Sequence, residues 1–438
     1  MKYGILGGGW AGLLCAYEIL KRDPSAEVEI LEKSSENKLG GLLRSETIDG
    51  FTYDTGGPHI LFSRNKKILD LIIEILGENA EKRERKNFIH YNDQIMPYPF
   101  ENGIFMLPAE ERARIGLGIV QSIINMNKNP DWRPETFYDW IYGLFGQEMG
   151  SRYLEPYNRK IWKRNSEDMD SDWVFTPGRL PLPSIDDIIF SIAGIPTTGY
   201  KEQAIFYYPN SGGILTLYEN LLSLVRRRGA ILKTNVTVSS VERTQEGWKI
   251  NGDYDYDRIV NTMPLPYLFR AMHAEKSIIE KTDKLDYNRV IVIGFALDLS
   301  SPERIALYVP RSDVVFHRYT WMSNLVNGSP EGKSNIIVEI TIPKEMEINA
   351  EGLVKEAEDG LLKIGIIDNP DQIIHHRVWV NEFGYPVYMK GHAKLREEIF
   401  QFLDNEGIFS VGRWGSWHYW NTDKVYEAVL SLVEEILK

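Results

Sequence analysis

The chain has a single cysteine, Cys15, among 438 residues, so it can form neither an intrachain disulfide nor a CxxC redox or zinc site. Any redox chemistry has to come from a bound cofactor. Positive charge is also scarce. Fifty Lys and Arg face 62 Asp and Glu, and the net charge of −12 disfavours general attraction to nucleic acid or an anionic membrane. No segment forms an uncharged run of about 18 residues, the length that would cross a bilayer as a helix. The apolar start carries three adjacent glycines and Glu18, and no small-residue cleavage site precedes Lys21. It therefore reads as strand, tight turn and helix, not as a secretion signal, and the expected location is cytoplasmic.

What is present is ordinary for a folded protein. Apolar residues make up 43% and charged residues 26%, which excludes wholesale disorder, and the length suggests about three domains. Lys2 to Leu6 reads as a buried strand, Trp10 to Arg22 as a helix ending at Asp23-Pro24, and Glu27 to Glu32 as the next strand. Helical patterns follow over 64–85, 109–127, 134–149 and 184–194. Residues 230–250 read as a hairpin-like strand pair turning at Gln245 to Gly247, and Arg258 to Thr262 as a buried strand. From Val290 to Glu382, long runs rich in Val and Ile predict an antiparallel sheet interrupted by a helix near 352–364. A strand at Ile408 to Val411, a glycine turn and a helix from about Asp423 to Leu437 close the chain.

Gly7-Gly8-Gly9-Trp10-Ala11-Gly12 matches GxGxxG between a strand and a helix. In such a turn the first glycine permits the bend, the second lets a pyrophosphate approach the backbone, and the third lets helix and strand pack. Glu32 lies 20 residues after Gly12, at the end of the second strand, where a carboxylate suits a ribose with a free 2′-hydroxyl. FAD or NAD is thus expected rather than NADP. Gly40-Gly41-Leu42 and Asp54-Thr55-Gly56-Gly57 add glycine turns just after the second strand, where a flavin would need backbone room. Trp10 and Ala11 in the first turn, Lys33 beside Glu32, and Leu42 complete this part of the cofactor set.

Seven blocks carry a wider resemblance: DTGGPHILFS (54–63), MPYPFENGIFMLP (96–108), EPYNRKIW (155–162), GRLPLP (178–183), FHRYTWMSN (316–324), FGYP (383–386) and GRWGSWHY (412–419). In order and approximate spacing the chain resembles the UDP-galactopyranose mutase family, with eukaryotic-type and bacterial-type motifs mixed. The resemblance implies an α/β fold: a Rossmann-like FAD-binding domain (1–85, 204–275 and 404–438), a helical domain (104–200) and an antiparallel β-sheet domain (86–103 and 276–403). It also implies a flavoenzyme of the isomerase class. UDP-galactopyranose and UDP-galactofuranose would interconvert without net redox change, through a sugar adduct on N5 of the reduced FAD.

The resemblance also assigns residues. Arg179 and Arg318 would hold the diphosphate, for which forked guanidinium donors are well shaped. Tyr308, Tyr385 and Tyr419 would surround the diphosphate and sugar. Tyr98, Phe100, Asn158 and Trp162 would hold the uridine, with helix packing an alternative role for Trp162. His59 would lie close to the flavin, the alternative being a histidine bonded to loop backbone. Gly57 belongs to the same turn, and Gly412, Arg413 and Asn421 would close the cofactor site. Glu101 stands where the eukaryotic type has glutamine, next to the expected base pocket, and His317 replaces a tyrosine beside Arg318. A carboxylate there would accept the uracil imide hydrogen but suit the paired donors of guanine better.

Other readings stay open at this level. One is an FAD oxidoreductase of the amine oxidase or protoporphyrinogen oxidase type; another is a mutase acting on a different nucleotide sugar. A third is a binding module resembling Rab GDP-dissociation inhibitors. A reductant such as NAD(P)H and a homo-oligomeric state are compatible with the sequence, which carries no second dinucleotide fingerprint. No metal site is expected.

Overall fold

The computed structural model describes residues 1–175, 184–197 and 204–438. Lys2–Leu6 forms the central strand of a five-stranded parallel sheet, ordered Phe409–Ser410, Arg258–Asn261, Lys2–Leu6, Glu27–Leu31, Ile231–Lys233. Its residues after Lys2 are buried, as a strand covered on both faces requires. The helices Trp10–Arg22, Leu215–Arg227 and Thr422–Ile436 cover it, and the first packs against both of the others.

A second sheet has seven strands, ordered Ile373–Val387, Asp286–Leu297, Ser334–Pro343, Arg318–Trp321, Ala306–Tyr308, Asn87–Tyr91, Gln94–Pro97. It is antiparallel as expected except for one pair, Ala306–Tyr308 with Asn87–Tyr91, which runs parallel. Ala350–Lys363 is the helix expected near 352–364. Between the sheets in sequence lie the helices Ala109–Lys128, Phe137–Met149, Glu155–Trp162 and Ile185–Ile192. The second of these starts at Phe137 rather than 134 because Thr136 caps it: Thr136 Oγ1 accepts from the Asp139 amide, and Asp139 Oδ2 accepts from the Thr136 amide.

Two sequence expectations are corrected. The helix over 64–85 is Lys66–Leu76 only, ended at Gly77 by a φ of +67°. Ala80–Glu84 is a strand, paired antiparallel with Ile205–Pro209. Its partner lies more than a hundred residues away, which no local periodicity can reveal. In 230–250 the expected hairpin turning at Gln245 to Gly247 is present, but its first strand does not begin at 230. Ile231–Lys233 joins the parallel sheet beside Glu27–Leu31, while the hairpin comprises Val241–Arg243 and Trp248–Ile250. Among the described residues no helix is long and apolar enough to cross a membrane.

Candidate active site

The first glycine turn is built as its spacing predicts. Gly7 has a φ of +105°, and a Cβ on Gly12 would lie 2.0 Å from the Gly7 carbonyl oxygen, so the helix meets the strand there without room for a side chain. A Cβ on Gly9 would meet nothing within 4 Å, and the neighbouring turn approaches from the other side, where a Cβ on Gly41 would be 4.0 Å from Gly9 Cα. The backbone between these turns is therefore bare, at a helix N-terminus, as an approaching pyrophosphate requires. Glu32 Oε2 accepts from the Gly8 amide at 2.8 Å and Oε1 from the Ser34 amide at 2.8 Å, which fixes the carboxylate at the strand end and leaves each oxygen a further lone pair. Lys33 instead lies with Nζ 5.9 Å from the Tyr267 ring centre.

Trp10 and Ala11 are buried. Trp10 Nε1 donates to the Thr422 carbonyl at 3.1 Å, tying the first helix to the last. Gly412, at φ +99°, abuts Ala11: a Cβ there would lie 2.7 Å from Ala11 Cβ. Arg413 donates through Nε and Nη2 to the Trp420 carbonyl, at 2.9 and 2.7 Å. Asn421 is the N-cap residue of Thr422–Ile436, with no capping bond from its side chain.

These elements open onto one cavity. Leu42, Gly57, His59, Arg413, Tyr419 and Asn421 line it together with Tyr308, Arg318, Glu339 and Tyr385 of the large sheet. Gly40 and Gly41 have left-handed backbone in the turn preceding Leu42. His59 Nδ1 lies 2.8 Å from the Gly57 carbonyl oxygen, the loop-backbone contact that was its alternative reading.

Strand register sets the polar centre. Tyr308 is the cross-strand partner of Arg318, and Arg318 of Glu339, so three strands place these side chains in a row. Arg318 donates through Nε to Glu339 Oε1 at 2.7 Å and through Nη2 to Oε2 at 2.6 Å, and Tyr385 donates to Oε2 at 3.2 Å. The Glu339 side chain is 1% exposed and that of Arg318 23%. Burial opposes the Arg318 charge, but the Glu339 carboxylate outweighs it and keeps the guanidinium ionised. Nη1 of Arg318 has no hydrogen-bond partner among the described residues. Gly57 makes room for the pair, since a Cβ there would lie 3.0 Å from Glu339 Oε2.

Around this centre the walls are aromatic. Tyr98 stacks on Tyr308 at 4.4 Å, Phe100 on Tyr153 at 4.4 Å, and Tyr157 meets Tyr308 edge-on at 5.7 Å. Trp162 makes edge contacts with Tyr419, Tyr385 and Trp173. Its Nε1 donates to Asn158 Oδ1 at 3.2 Å, and Asn158 Nδ2 donates to the Leu154 carbonyl at 2.8 Å. Asn158 and Trp162, two of the four expected uridine contacts, are thus partly engaged with each other and with the residue that precedes their helix. His317 is buried with Nδ1 unpartnered, and burial, then Arg318, Lys160 and Lys163, hold it far below the usual histidine range, so it is neutral. Burial also lowers Lys160 to about 7. Arg179 lies outside the described residues. Among the described residues no group of three His, Cys, Asp or Glu is arranged to hold a metal ion.

Sequence reasoning missed Glu339, Arg85, Tyr153 and Tyr157, all of which line the cavity. Glu339 had a visible signal: it is the one charge within the otherwise uncharged strand SNIIVEITIP.

The bare glycine turns, the fixed Glu32 and the cavity beyond Gly57 fit a flavin dinucleotide, with Gly9, Gly41 and Glu32 toward the pyrophosphate and ribose. A family model described as flavin containing amine oxidoreductase matches residues 10–431. Among solved structures, reduced UDP-galactopyranose mutase superposes with a TM-score of 0.88 at 24% identity, covering 100% of this chain and 93% of that one. A protoporphyrinogen oxidase candidate from Exiguobacterium sp. 255-15 superposes with a TM-score of 0.76 at 18% identity, covering 99% and 98%. Coproporphyrinogen III oxidase of Staphylococcus aureus is 21% identical over 359 residues, 75% of this chain and 76% of that protein. The chain belongs to the flavin-containing amine oxidoreductase family, and its cofactor is FAD.

Proposed function

We propose that the protein is a nucleotide-sugar mutase that interconverts UDP-galactopyranose and UDP-galactofuranose. The observation that carries this reading is Arg318, a cation set in an aromatic cavity with Nη1 unengaged and its other donors anchored on Glu339. A departing diphosphate needs such a group, and a substrate site for an apolar amine does not. The likeness of fold to UDP-galactopyranose mutase supports the reading.

Bound FAD, in its reduced form, supplies a nucleophile for a sugar ring contraction with no net redox change. Arg318 binds the diphosphate as it takes up negative charge, and Glu339 fixes the guanidinium plane in advance, so no reorganisation accompanies bond breaking. Tyr308 and Tyr419 offer phenol donors to sugar and phosphate oxygens, Tyr385, whose O–H is held by Glu339, offers an acceptor oxygen, and the three rings exclude water. His59 holds its ring at the Gly57 turn, and His317 stays neutral behind Arg318. Arg179 is proposed as a second diphosphate contact, and a reductant such as NAD(P)H as the source of electrons.

The family match and the porphyrinogen oxidase relatives favour a second reading, an FAD-dependent oxidoreductase. Titration of the FAD-loaded protein with UDP-galactose separates the two. If Arg318 contributes a charge-assisted bond of roughly 1.5 to 3 kcal/mol, Arg318→Ala weakens binding roughly ten- to a hundredfold. Equal affinity in both proteins would contradict the mutase reading, and flavin reduction by a porphyrinogen or an amine would establish the other.

A further inference from the structure

Glu101 is a carboxyl in a place that does not suit a charge. It is 5% exposed, on the short helix Phe100–Gly103, and it lines the same cavity as Arg318. Among the described residues no other group hydrogen-bonds its side chain and no cation stabilises its ionised form. Burial pushes it up to about 7, with only its own backbone amide acting against the shift.

Between Glu101 and Arg318 the cavity wall is a run of flat rings. Phe100 stacks on Tyr153 at an interplanar angle of 5°, Tyr153 is parallel to Tyr157 within 2°, and Tyr157 meets Tyr308 edge-on. Tyr153 feels the charge of Glu101, and Tyr157 that of Arg318, which orders the two groups at opposite ends of the run. A ligand with an anion at one end and a flat heterocycle at the other would match this order, its ring edge meeting Glu101. The elements around that short helix also bring Tyr98, Tyr153 and, from Ile185–Ile192, Asp186 and Asp187, none of which sets the protonation of Glu101.

We propose that Glu101 reads the nucleobase as a neutral carboxylic acid, donating its O–H to a uracil carbonyl and accepting the adjacent imide N–H on its carbonyl oxygen. The inference rests on the nucleotide-sugar reading and deepens it. A neutral carboxylic acid presents one donor and one acceptor side by side, as a glutamine amide does, and this pair complements the imide edge. An ionised carboxylate presents acceptors only, which would face the uracil carbonyl oxygens and suit the paired N–H donors of guanine instead. Uridine nucleotides therefore bind with uptake of one proton.

The experiment is calorimetric titration of the FAD-loaded protein with UDP-galactose, whose esterified diphosphate does not titrate near neutrality, in two buffers of different ionisation enthalpy. From about pH 7.5 to about pH 8.5 the wild-type Kd rises about tenfold with close to one proton taken up, whereas Glu101→Gln keeps one affinity throughout. The variant retains Lys160, so a slope arising at the Arg318 end would survive in it. A flat wild-type profile without proton uptake overturns the proposal even if the variant fails to fold. So does an equal slope in Glu101→Gln, or GDP-mannose binding that outcompetes UDP-galactose as the pH rises. Absence of UDP-galactose binding to either protein at every pH overturns the nucleotide-sugar reading as well.

Discussion

Glu339→Ala is the substitution whose consequence the geometry determines most sharply. The carboxylate is 1% exposed and takes two hydrogen bonds from Arg318 and one from Tyr385. Removing it strands a guanidinium whose ionisation Glu339 sustains. Breaking a buried ion pair by deleting one partner costs about 3–5 kcal/mol, and the 23% exposure of Arg318 relieves part of this, so a loss of about 3 kcal/mol is expected. Removing both charges in Arg318→Met/Glu339→Leu leaves no stranded ion and should return stability to within about 1 kcal/mol of wild type. Urea unfolding followed by tryptophan fluorescence measures all three proteins. A single variant within about 1 kcal/mol of wild type, or a double variant less stable than the single, would show that Glu339 does not sustain a buried charge. The double variant should also have lost nucleotide-sugar binding, which separates the stabilising role of the pair from the binding role of its cation.

Gly9→Ala should fold and yet purify without FAD, because its Cβ meets nothing in the chain and intrudes only on the pyrophosphate path; Gly12→Ala should fail to fold, with its Cβ 2.0 Å from the Gly7 oxygen. Absorbance at the flavin band and circular dichroism distinguish the two, and a yellow Gly9→Ala would count against the assignment of the turn. Glu101, raised from 4.5 to about 7 in the fold, contributes stability that is full below pH 4.5 and lost as the pH rises through 7. At 1.36 kcal/mol per unit the loss is on the order of 3 kcal/mol, and Glu101→Gln should not show it. Parallel stability–pH curves for the two proteins would show that Glu101 is ionised in the fold.

Much of the architecture was legible because it is local. The unit Lys2–Leu31 has strand, glycine turn and helix signals within thirty residues, and the elements lie where the pattern puts them. The strands Asp286–Leu297 and Ser334–Pro343 are almost wholly buried, so their continuous apolar runs identify them. Ala80–Glu84 and Ile231–Lys233 were not legible, since each is a strand only by virtue of a distant partner. The glycine turns of the cofactor site could be read from spacing alone. The polar centre could not, because the row Tyr308, Arg318, Glu339 exists only through the register of three strands, and a sequence does not state register. Resemblance supplied Tyr308 and Arg318 but not the carboxylate that orients the arginine.

Mutase activity is tested by incubating the FAD-loaded protein with UDP-galactofuranose, with and without dithionite, and separating the nucleotide sugars by anion exchange. Conversion to UDP-galactopyranose is expected only after reduction, and none in Arg318→Ala. No conversion by a protein whose flavin is bound and reducible, together with flavin reduction by a porphyrinogen or an amine, would contradict it.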